Sequence, residues 1–284
     1  MDRQTRIESV ANPRLKRTLK LRKPRERRAA GLLLAEGRRE VERAFASGLA
    51  CRELWTCRDL LGEDFPLSRR ADQVYAATPT AFRKLAWHDE PEGVLGVFEA
   101  PGWTLAKLPP PEAADMYLVA VGTEKPGNLG AMVRTAAAAG CRAVLAVGPS
   151  VDVFNPAAIR NSTGAVFALP VAVVPDAADA IDWLADRGVS IVAAVAPGQS
   201  GRSCFEADWA FPAAVVVGPE HAGLDAVWRD RATVLATIPM LGDGDREIAL
   251  NGIPPTSASV DSLNASNAAA VMLYEAVRRR LTLK

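Results

Sequence analysis

Short apolar runs rich in valine alternate with helical segments through residues 115–284 of this 284-residue chain. Five such runs occupy 116–122, 143–148, 189–196, 213–218 and 233–238. Helical patterning covers the segments near 128–140, 156–163, 176–187, 223–230 and 265–281. Continuous apolar strands joined by helices are typical of a mostly parallel sheet that helices cover on both faces. The pattern therefore predicts an α/β fold for this part of the chain.

A smaller α/β pattern precedes it. Asn12-Pro13 predicts a helix start, because Asn is a good N-cap and Pro suits the first helical position. Strands are predicted at 32–35, 53–56, 74–76 and 93–99, and helices at 38–47 and 80–86. A proline-punctuated stretch without periodicity follows and indicates a linker. We therefore predict a first domain over 1–105, a linker over 106–114 and a second domain over 115–284.

Charge divides the chain unevenly. Residues 1–43 contain 14 Lys or Arg and 6 Asp or Glu, a net charge of +8, whereas the whole chain carries +1 and the remainder therefore −7. A basic segment on an otherwise acidic protein indicates a polyanionic partner, although a solvated helix face would look the same. Long basic side chains can grip phosphates, and we expect RNA or DNA contacts. The candidates here are Arg14, Lys16, Arg17, Lys20, Arg25, Arg27 and Arg28, the last three in a turn-prone stretch.

Composition excludes several classes of protein. Hydrophobic residues make up 49% of the chain and the mean hydropathy is +0.04, as in ordinary globular proteins. No apolar run approaches the ~18 residues that span a bilayer, and the first residues do not resemble a secretory signal. We expect reduced thiols, no metal site and a cytoplasmic protein, because the four cysteines lack zinc-site spacing. They are Cys51, Cys57, Cys141 and Cys204.

Three polar blocks follow strands in the second domain, where α/β sheets bind ligands. The first is the Gly-rich turn from Gly122 to Arg134, which contains Asn128 and matches neither a dinucleotide-binding nor a P-loop pattern. The second is Gly218-Pro219-Glu220 with Gly223-Leu224. The third is Ile238-Pro239-Met240, followed after residues 241–261 by Ser262-Leu263-Asn264-Ala265-Ser266. Each block alone is compatible with an ordinary strand-to-helix turn or helix cap.

Together, in this order and spacing, the blocks resemble the SpoU (TrmH) family of ribose 2′-O-methyltransferases within the SPOUT superfamily. Phe154-Asn155-Pro156 with Arg160 also resembles a family segment. Residues 7–37 are similar to the RNA-binding N-terminal domain of many members, which resembles a kink-turn-binding ribosomal protein. The insert 241–261 departs from the family pattern, which has only a few residues there.

The resemblance implies a deep trefoil knot and an S-adenosylmethionine site built by three loops. The matching cofactor positions are Gly218, Ile238 and Leu263, with Met240 and Ala268 as neighbours, although Ile238 and Leu263 also suit simple core packing. The resemblance further implies catalytic roles for Arg134, Asn128, Glu220, Ser262 and Asn264, an RNA contact by Arg160, and a homodimer. The expected substrate is rRNA, 23S rRNA first, with antibiotic-resistance enzymes of the avilamycin or thiostrepton type as similar members.

The implied reaction is in-line attack of a ribose 2′-hydroxyl on a sulfonium methyl group, for which the protein supplies positioning. We expect Arg134 to clamp a phosphate, since a guanidinium stays protonated and cannot act as a base. Glu220 would orient Arg134 or Asn128, while Ser262 and Asn264 would fix the hydroxyl. The alternatives are a housekeeping tRNA or rRNA methyltransferase and a non-catalytic RNA-binding ribosome-assembly factor on the same scaffold.

Overall fold

A computed structural model describes residues 4–148, 152–240 and 262–282, and the insert 241–261 lies outside the described residues. The chain divides into two compact units. The first contains Met1–Gly102 and Asp152–Ala168, and the second contains Trp103–Val151 and Leu169–Lys284. The predicted domains are contiguous, whereas the first observed unit includes a segment from within the predicted second domain.

The described residues form the following helices and strands. Up to Gly102 they are β1 (Gln4–Ile7), α1 (Pro13–Lys20), α2 (Pro24–Ala30), β2 (Leu32–Glu36), α3 (Arg38–Ala46), β3 (Cys51–Thr56), α4 (Arg58–Leu61), β4 (Ala71–Ala77), α5 (Pro79–Leu85) and β5 (Val94–Glu99). Beyond it they are β6 (Met116–Val121), α6 (Pro126–Ala138), β7 (Ala143–Val147), α7 (Pro156–Asn161), β8 (Val171–Val174), α8 (Ala177–Ala185), β9 (Ser190–Val195), β10 (Arg202–Ser203), β11 (Ala213–Val217), α9 (Ala226–Arg231), β12 (Val234–Thr237) and α10 (Ala265–Thr282).

The first unit is built on a five-stranded sheet in the order β1-β4-β3-β5-β2. β1, β4 and β3 are parallel, and β5 is antiparallel to both β3 and β2. Helix α1 begins as predicted: the Asn12 side chain accepts a hydrogen bond from the backbone N–H of Arg14, and Leu15 is buried beneath the helix. On the same unit, Trp55 and Tyr75 pack with ring centroids 4.5 Å apart.

One sequence interpretation of the first unit was wrong, and one of its strands was missed. The stretch after Pro24, interpreted as turn-prone, is helix α2, which ends at Gly31 with a φ of +65°. Proline favours the first turn of a helix as well as turns, and the following Arg, Glu and Ala residues are good helix formers. Strand β1 was not predicted because four residues carry too little alternation to be distinguished from a loop.

The second unit has a seven-stranded sheet in the order β10-β12-β9-β11-β6-β7-β8, and every recorded pairing is parallel. This confirms the predicted α/β fold with a parallel sheet. Helices α8 and α9 cover alternate strand residues such as Tyr117 and Val119, while α6 and α10 pack on each other and on β6. The five predicted strands are present, whereas the short strands β8 and β10 were missed.

Among the described residues, no helix is long and apolar enough to cross a membrane. Within the same ranges, no three His, Cys, Asp or Glu side chains are grouped so that they could hold a metal ion.

Candidate active site

The loops that follow β9, β11 and β12 meet the start of α10 at one edge of the parallel sheet. They enclose a cavity of about 110 Å³ with a largely apolar lining. Its walls include all five residues predicted to bind a cofactor: Gly218, Ile238, Met240, Leu263 and Ala268. Parallel strands place their carboxyl ends at one edge, which explains how segments far apart in the sequence come together here. The described structure therefore brings the predicted cofactor residues into one pocket.

At Gly218 the loop after β11 passes close to its own backbone. A Cβ atom at this position would lie 2.7 Å from the carbonyl carbon of Gly223 and 2.8 Å from the backbone nitrogen of Leu224. Any larger side chain would push these backbone segments apart. The glycine thus keeps the wall of the cavity thin and its peptide groups accessible. The apolar Ile238 and Leu263 also line this cavity. Such a lining suits a flat heteroaromatic group that hydrogen-bonds to backbone atoms.

Glu220 is the hub of a polar cluster at the mouth of this cavity. Its Oε1 atom accepts hydrogen bonds from the side-chain Nδ2 of Asn128 at 2.9 Å and of Asn264 at 2.5 Å. It also accepts one from the backbone N–H of Ala265 at 3.2 Å. This N–H lies in the first turn of α10, where backbone donors have no partner within the helix. Three of the five predicted catalytic residues, Asn128, Glu220 and Asn264, are therefore in mutual contact. Of the two partners predicted for Glu220, the structure shows Asn128 and not Arg134.

The pKa of Glu220 is lowered from its ordinary value of 4.5. The largest cause is the hydrogen bond from the Ala265 backbone N–H, followed by the positive charge of Lys125 and the hydrogen bond from Asn128. All three favour the ionised carboxylate, whereas partial burial opposes it. Glu220 is thus an anion at neutral pH and a weak base.

One nearby serine belongs to this cluster, and a second lines the cavity. Ser266 donates from both its backbone N–H and its hydroxyl to Oδ1 of Asn264, at 2.9 and 2.6 Å. Asn264 is thereby held by both its amide nitrogen and its oxygen. Ser262 lines the cavity beside Leu263 and is exposed.

Arg134 lies apart from this cluster. Its side chain is exposed on α6, and within the described ranges it has no hydrogen bond or ion pair. An exposed guanidinium without a partner is available to an anion from outside the chain. The proposed phosphate clamp stays a prediction.

The predicted RNA contacts of the first unit have different environments. Arg27 is only 2% exposed and donates to the backbone carbonyls of Leu21 and Arg22 and to the Asp152 carboxylate. A buried guanidinium cannot reach a phosphate, so the assignment of Arg27 to RNA binding is wrong. Lys16, Lys20, Arg25 and Arg28 are exposed and, in the described structure, unpaired.

The other three predicted contacts have protein partners. Arg14 stacks over the Tyr75 ring, Arg17 pairs with Glu53 at 2.5 Å, and Arg160 contacts His88. A contacted side chain must change partners before it can bind phosphate. These three residues are weaker candidates than the four unpaired cations.

Two parts of the site were missed at the sequence level. The segment Ala194-Val195-Ala196-Pro197, which is the end of β9 and the start of the following loop, also lines the cavity. Its signal was its place at the end of a predicted strand, because neighbouring parallel strands end at the same edge. The second is Lys125, whose Nζ lies 3.6 Å from Oε2 of Glu220. No motif marked this lysine, since an exposed Lys in a turn is common.

Two family descriptions match the chain. Residues 115–246 match the SpoU rRNA Methylase family, and residues 12–96 match the MRM3-like substrate binding domain. A relative from Streptomyces viridochromogenes, a 23S rRNA (uridine(2479)-2′-O)-methyltransferase, is 31% identical over 90% of this chain and 86% of its own length.

Solved structures agree with these matches. A crystal structure of an RNA 2′-O ribose methyltransferase is 36% identical, covers 98% of this chain and 100% of its own, and superposes with a TM-score of 0.78. The SpoU methyltransferase AviRb from Streptomyces viridochromogenes, in complex with AdoMet, is 28% identical over 95% of this chain and 99% of its own, with a TM-score of 0.80.

Proposed function

Because the chain belongs to the SpoU rRNA methylase family, we propose that it transfers a methyl group from S-adenosylmethionine to a ribose 2′-hydroxyl of ribosomal RNA. The observation that carries this proposal is the joining of Asn128, Glu220 and Asn264 at the mouth of the apolar cavity. A binding module would need the cavity but not a fully bonded polar cluster at its entrance. The relatives act on 23S rRNA, and we take that RNA as the first substrate to test.

S-adenosylmethionine supplies an electrophilic methyl group on a positively charged sulfur. In our proposal Gly218, Ile238, Met240, Leu263 and Ala268 hold it through backbone and apolar contacts. Asn264 and Ser262 orient the ribose hydroxyl in line with the methyl group, which removes much of the entropic barrier. Glu220 fixes Asn128 and Asn264, and its lowered pKa makes it a poor acceptor for the hydroxyl proton, which passes to water.

Arg134 binds the phosphate next to the target ribose. Its charge would also stabilise oxyanion character on the attacking oxygen. The absence of any intramolecular partner in the described part of the chain supports this role. The first unit contributes RNA affinity through Lys16, Lys20, Arg25 and Arg28, as the match to a substrate-binding domain suggests. We also propose that this unit resembles a kink-turn-binding ribosomal protein.

We also propose a trefoil knot and a homodimer, as the family resemblance implies. The convergence of the loops after β11 and β12 with the start of α10 on one cavity supports the knot. Exposed apolar residues support the dimer: Tyr274 is 52% and Leu281 64% exposed, and their seven-residue spacing puts both on one face of α10.

The biological setting follows from the substrate. Action on ribosomal RNA supports a cytoplasmic location, which we propose for this protein. The similarity to AviRb favours methylation that confers resistance to a ribosome-targeting antibiotic, with a housekeeping rRNA or tRNA methyltransferase as the alternative.

Ribose-methylation mapping tests the proposal. Unmodified 23S rRNA, 16S rRNA and bulk tRNA, each transcribed in vitro, are incubated with the protein and labelled S-adenosylmethionine. We expect one labelled 2′-O-methyl nucleotide in 23S rRNA. Label in tRNA alone would favour the housekeeping alternative, and RNA binding without any label would favour a non-catalytic assembly factor.

A further inference from the structure

Lys125 is the residue just before helix α6. Its backbone carbonyl accepts hydrogen bonds from the N–H groups of Asn128 and Leu129, so its main chain is fixed relative to the catalytic cluster. Its side chain is 70% exposed, whereas that of Glu220 is only 22% exposed. The ammonium group therefore stands at the entrance of the site, on the solvent side of the carboxylate.

The hydrogen bonds to Glu220 indicate that Lys125 is not needed to hold it. Three N–H donors bond to Oε1, and these alone fix the orientation of the carboxylate. Lys125 faces the other oxygen, Oε2, at 3.6 Å, which is longer than a hydrogen bond. An exposed ion pair of this length contributes little to stability. Lys125 can leave Glu220 at small cost.

We propose that Lys125 binds a phosphate oxygen of the substrate RNA beside the target ribose, an inference that rests on the proposed function. The chain beyond residue 43 has a net charge of −7, and one of its carboxylates, Glu220, lies at the mouth of the site. A phosphate that approaches this mouth meets repulsion unless a cation lies in front of the carboxylate. Lys125 is that cation. The N-terminus of the 13-residue helix α6 adds partial positive charge at the same place.

In the free protein the ammonium lies near Oε2 of Glu220, and in the complex it donates to phosphate. No covalent bond changes in this exchange. Lys125 thus contacts substrate, whereas Glu220 positions the side chains of Asn128 and Asn264.

The test compares Lys125→Ala and Lys125→Arg with a matched control, Arg231→Gln. Arg231 is also an exposed cation paired with a surface carboxylate, Asp182 at 3.2 Å, but it precedes β12 and so lies away from the carboxyl ends of the strands. Steady-state assays measure kcat and the KM for 23S rRNA transcript. Titrations measure the Kd for S-adenosylmethionine and the RNA affinity at several salt concentrations. Thermal melting verifies that each variant folds.

We expect Lys125→Ala to raise the RNA KM about tenfold, with cofactor Kd changed less than twofold. Loss of one phosphate contact should also flatten the slope of log affinity against log salt by roughly 0.7 for single-stranded RNA. Lys125→Arg should restore most of the RNA KM and of the salt slope, since Arg also binds phosphate. Arg231→Gln should resemble wild type in both measurements.

A lower kcat with unchanged RNA KM and salt slope would overturn the proposal and make Lys125 a positioning residue for Glu220. A Lys125→Ala variant that matches Arg231→Gln in every measurement would overturn it as well. Failure of the proposed function gives a different result: wild type would then methylate no RNA. The salt slopes of the variants would still decide whether Lys125 contacts phosphate.

Discussion

Single residues at the mouth of the cavity divide into those that are fully bonded and those that are free. Glu220 and Asn264 use their polar atoms within the cluster, whereas Arg134 uses none within the described part of the chain. Bonded groups need no reorganisation during the reaction, so they suit positioning. Free cations suit recognition of an incoming anion. This division separates the role of Glu220 from that of Arg134.

Arg134→Ala should abolish methyl transfer while it leaves the affinity for S-adenosylmethionine within a few-fold of wild type. The reason is that Arg134 lies on α6 outside the residues that line the cavity. Single-turnover kinetics and cofactor titration measure the two effects. Activity within tenfold of wild type, a barrier change below ~1.4 kcal/mol, would contradict the phosphate clamp.

The lowered pKa of Glu220 predicts how the stabilisation that this carboxylate provides depends on pH. A carboxylate with a lowered folded pKa stabilises the native state above its unfolded value, here 4.5, and loses that contribution as pH falls through the folded pKa. The Tm difference between wild type and Glu220→Gln should therefore stay constant from about pH 8 to about pH 5 and shrink only below that. A difference that already shrinks between pH 7 and pH 6 would indicate a raised pKa.

At the scale of elements, helices α2 and α3 hold the segment Asp152–Ala168 in the first unit. Arg27 on α2 donates to the Asp152 carboxylate, and Arg43 on α3 donates to the Thr163 backbone carbonyl and, at 2.7 Å, to its hydroxyl. Both arginines belong to the basic segment from which an RNA surface was predicted. Part of that positive charge is therefore structural.

Arg27→Ala should destabilise the protein by about 3 kcal/mol, because it leaves the Asp152 carboxylate, only 12% exposed, without its partner. Chemical denaturation measures this loss. Arg28→Ala is the matched control: it removes an exposed neighbour on the same helix and should change stability by less than ~0.5 kcal/mol. Equal stabilities for the two variants would show that the Arg27–Asp152 pair contributes nothing.

For the whole molecule, RNA affinity and cofactor affinity should depend on different surfaces. The first unit carries four exposed cations without partners in the described structure, Lys16, Lys20, Arg25 and Arg28, and the second unit carries the cavity. Deleting residues 1–105 would be a poor test, because Asp152–Ala168 would lose the unit in which it packs. Substitution of surface charge keeps both units intact.

Changing Lys16, Lys20, Arg25 and Arg28 to Gln should weaken RNA binding and flatten its salt slope by about 3, at roughly 0.7 for each lost phosphate contact. Cofactor binding should not change. Four exposed cations elsewhere, Lys84, Arg202, Arg229 and Arg231, changed to Gln provide a control with the same loss of charge. Equal salt slopes for the two variants would show that the charge of α1 and α2 is only a solvated helix face.

The sequence alone determined the α/β fold, the order of the chemical motifs and five of the residues that line the cavity. Strand periodicity and the blocks around Asn128, Glu220 and Asn264 are local patterns, so no tertiary information was needed to find them. Only the tertiary structure decided that Glu220 bonds to Asn128 and not to Arg134, that Arg27 is buried, and that Lys125 faces the Glu220 carboxylate. Burial and pairing of a charged side chain depend on which distant segments pack against it. Sequence spacing does not specify those contacts.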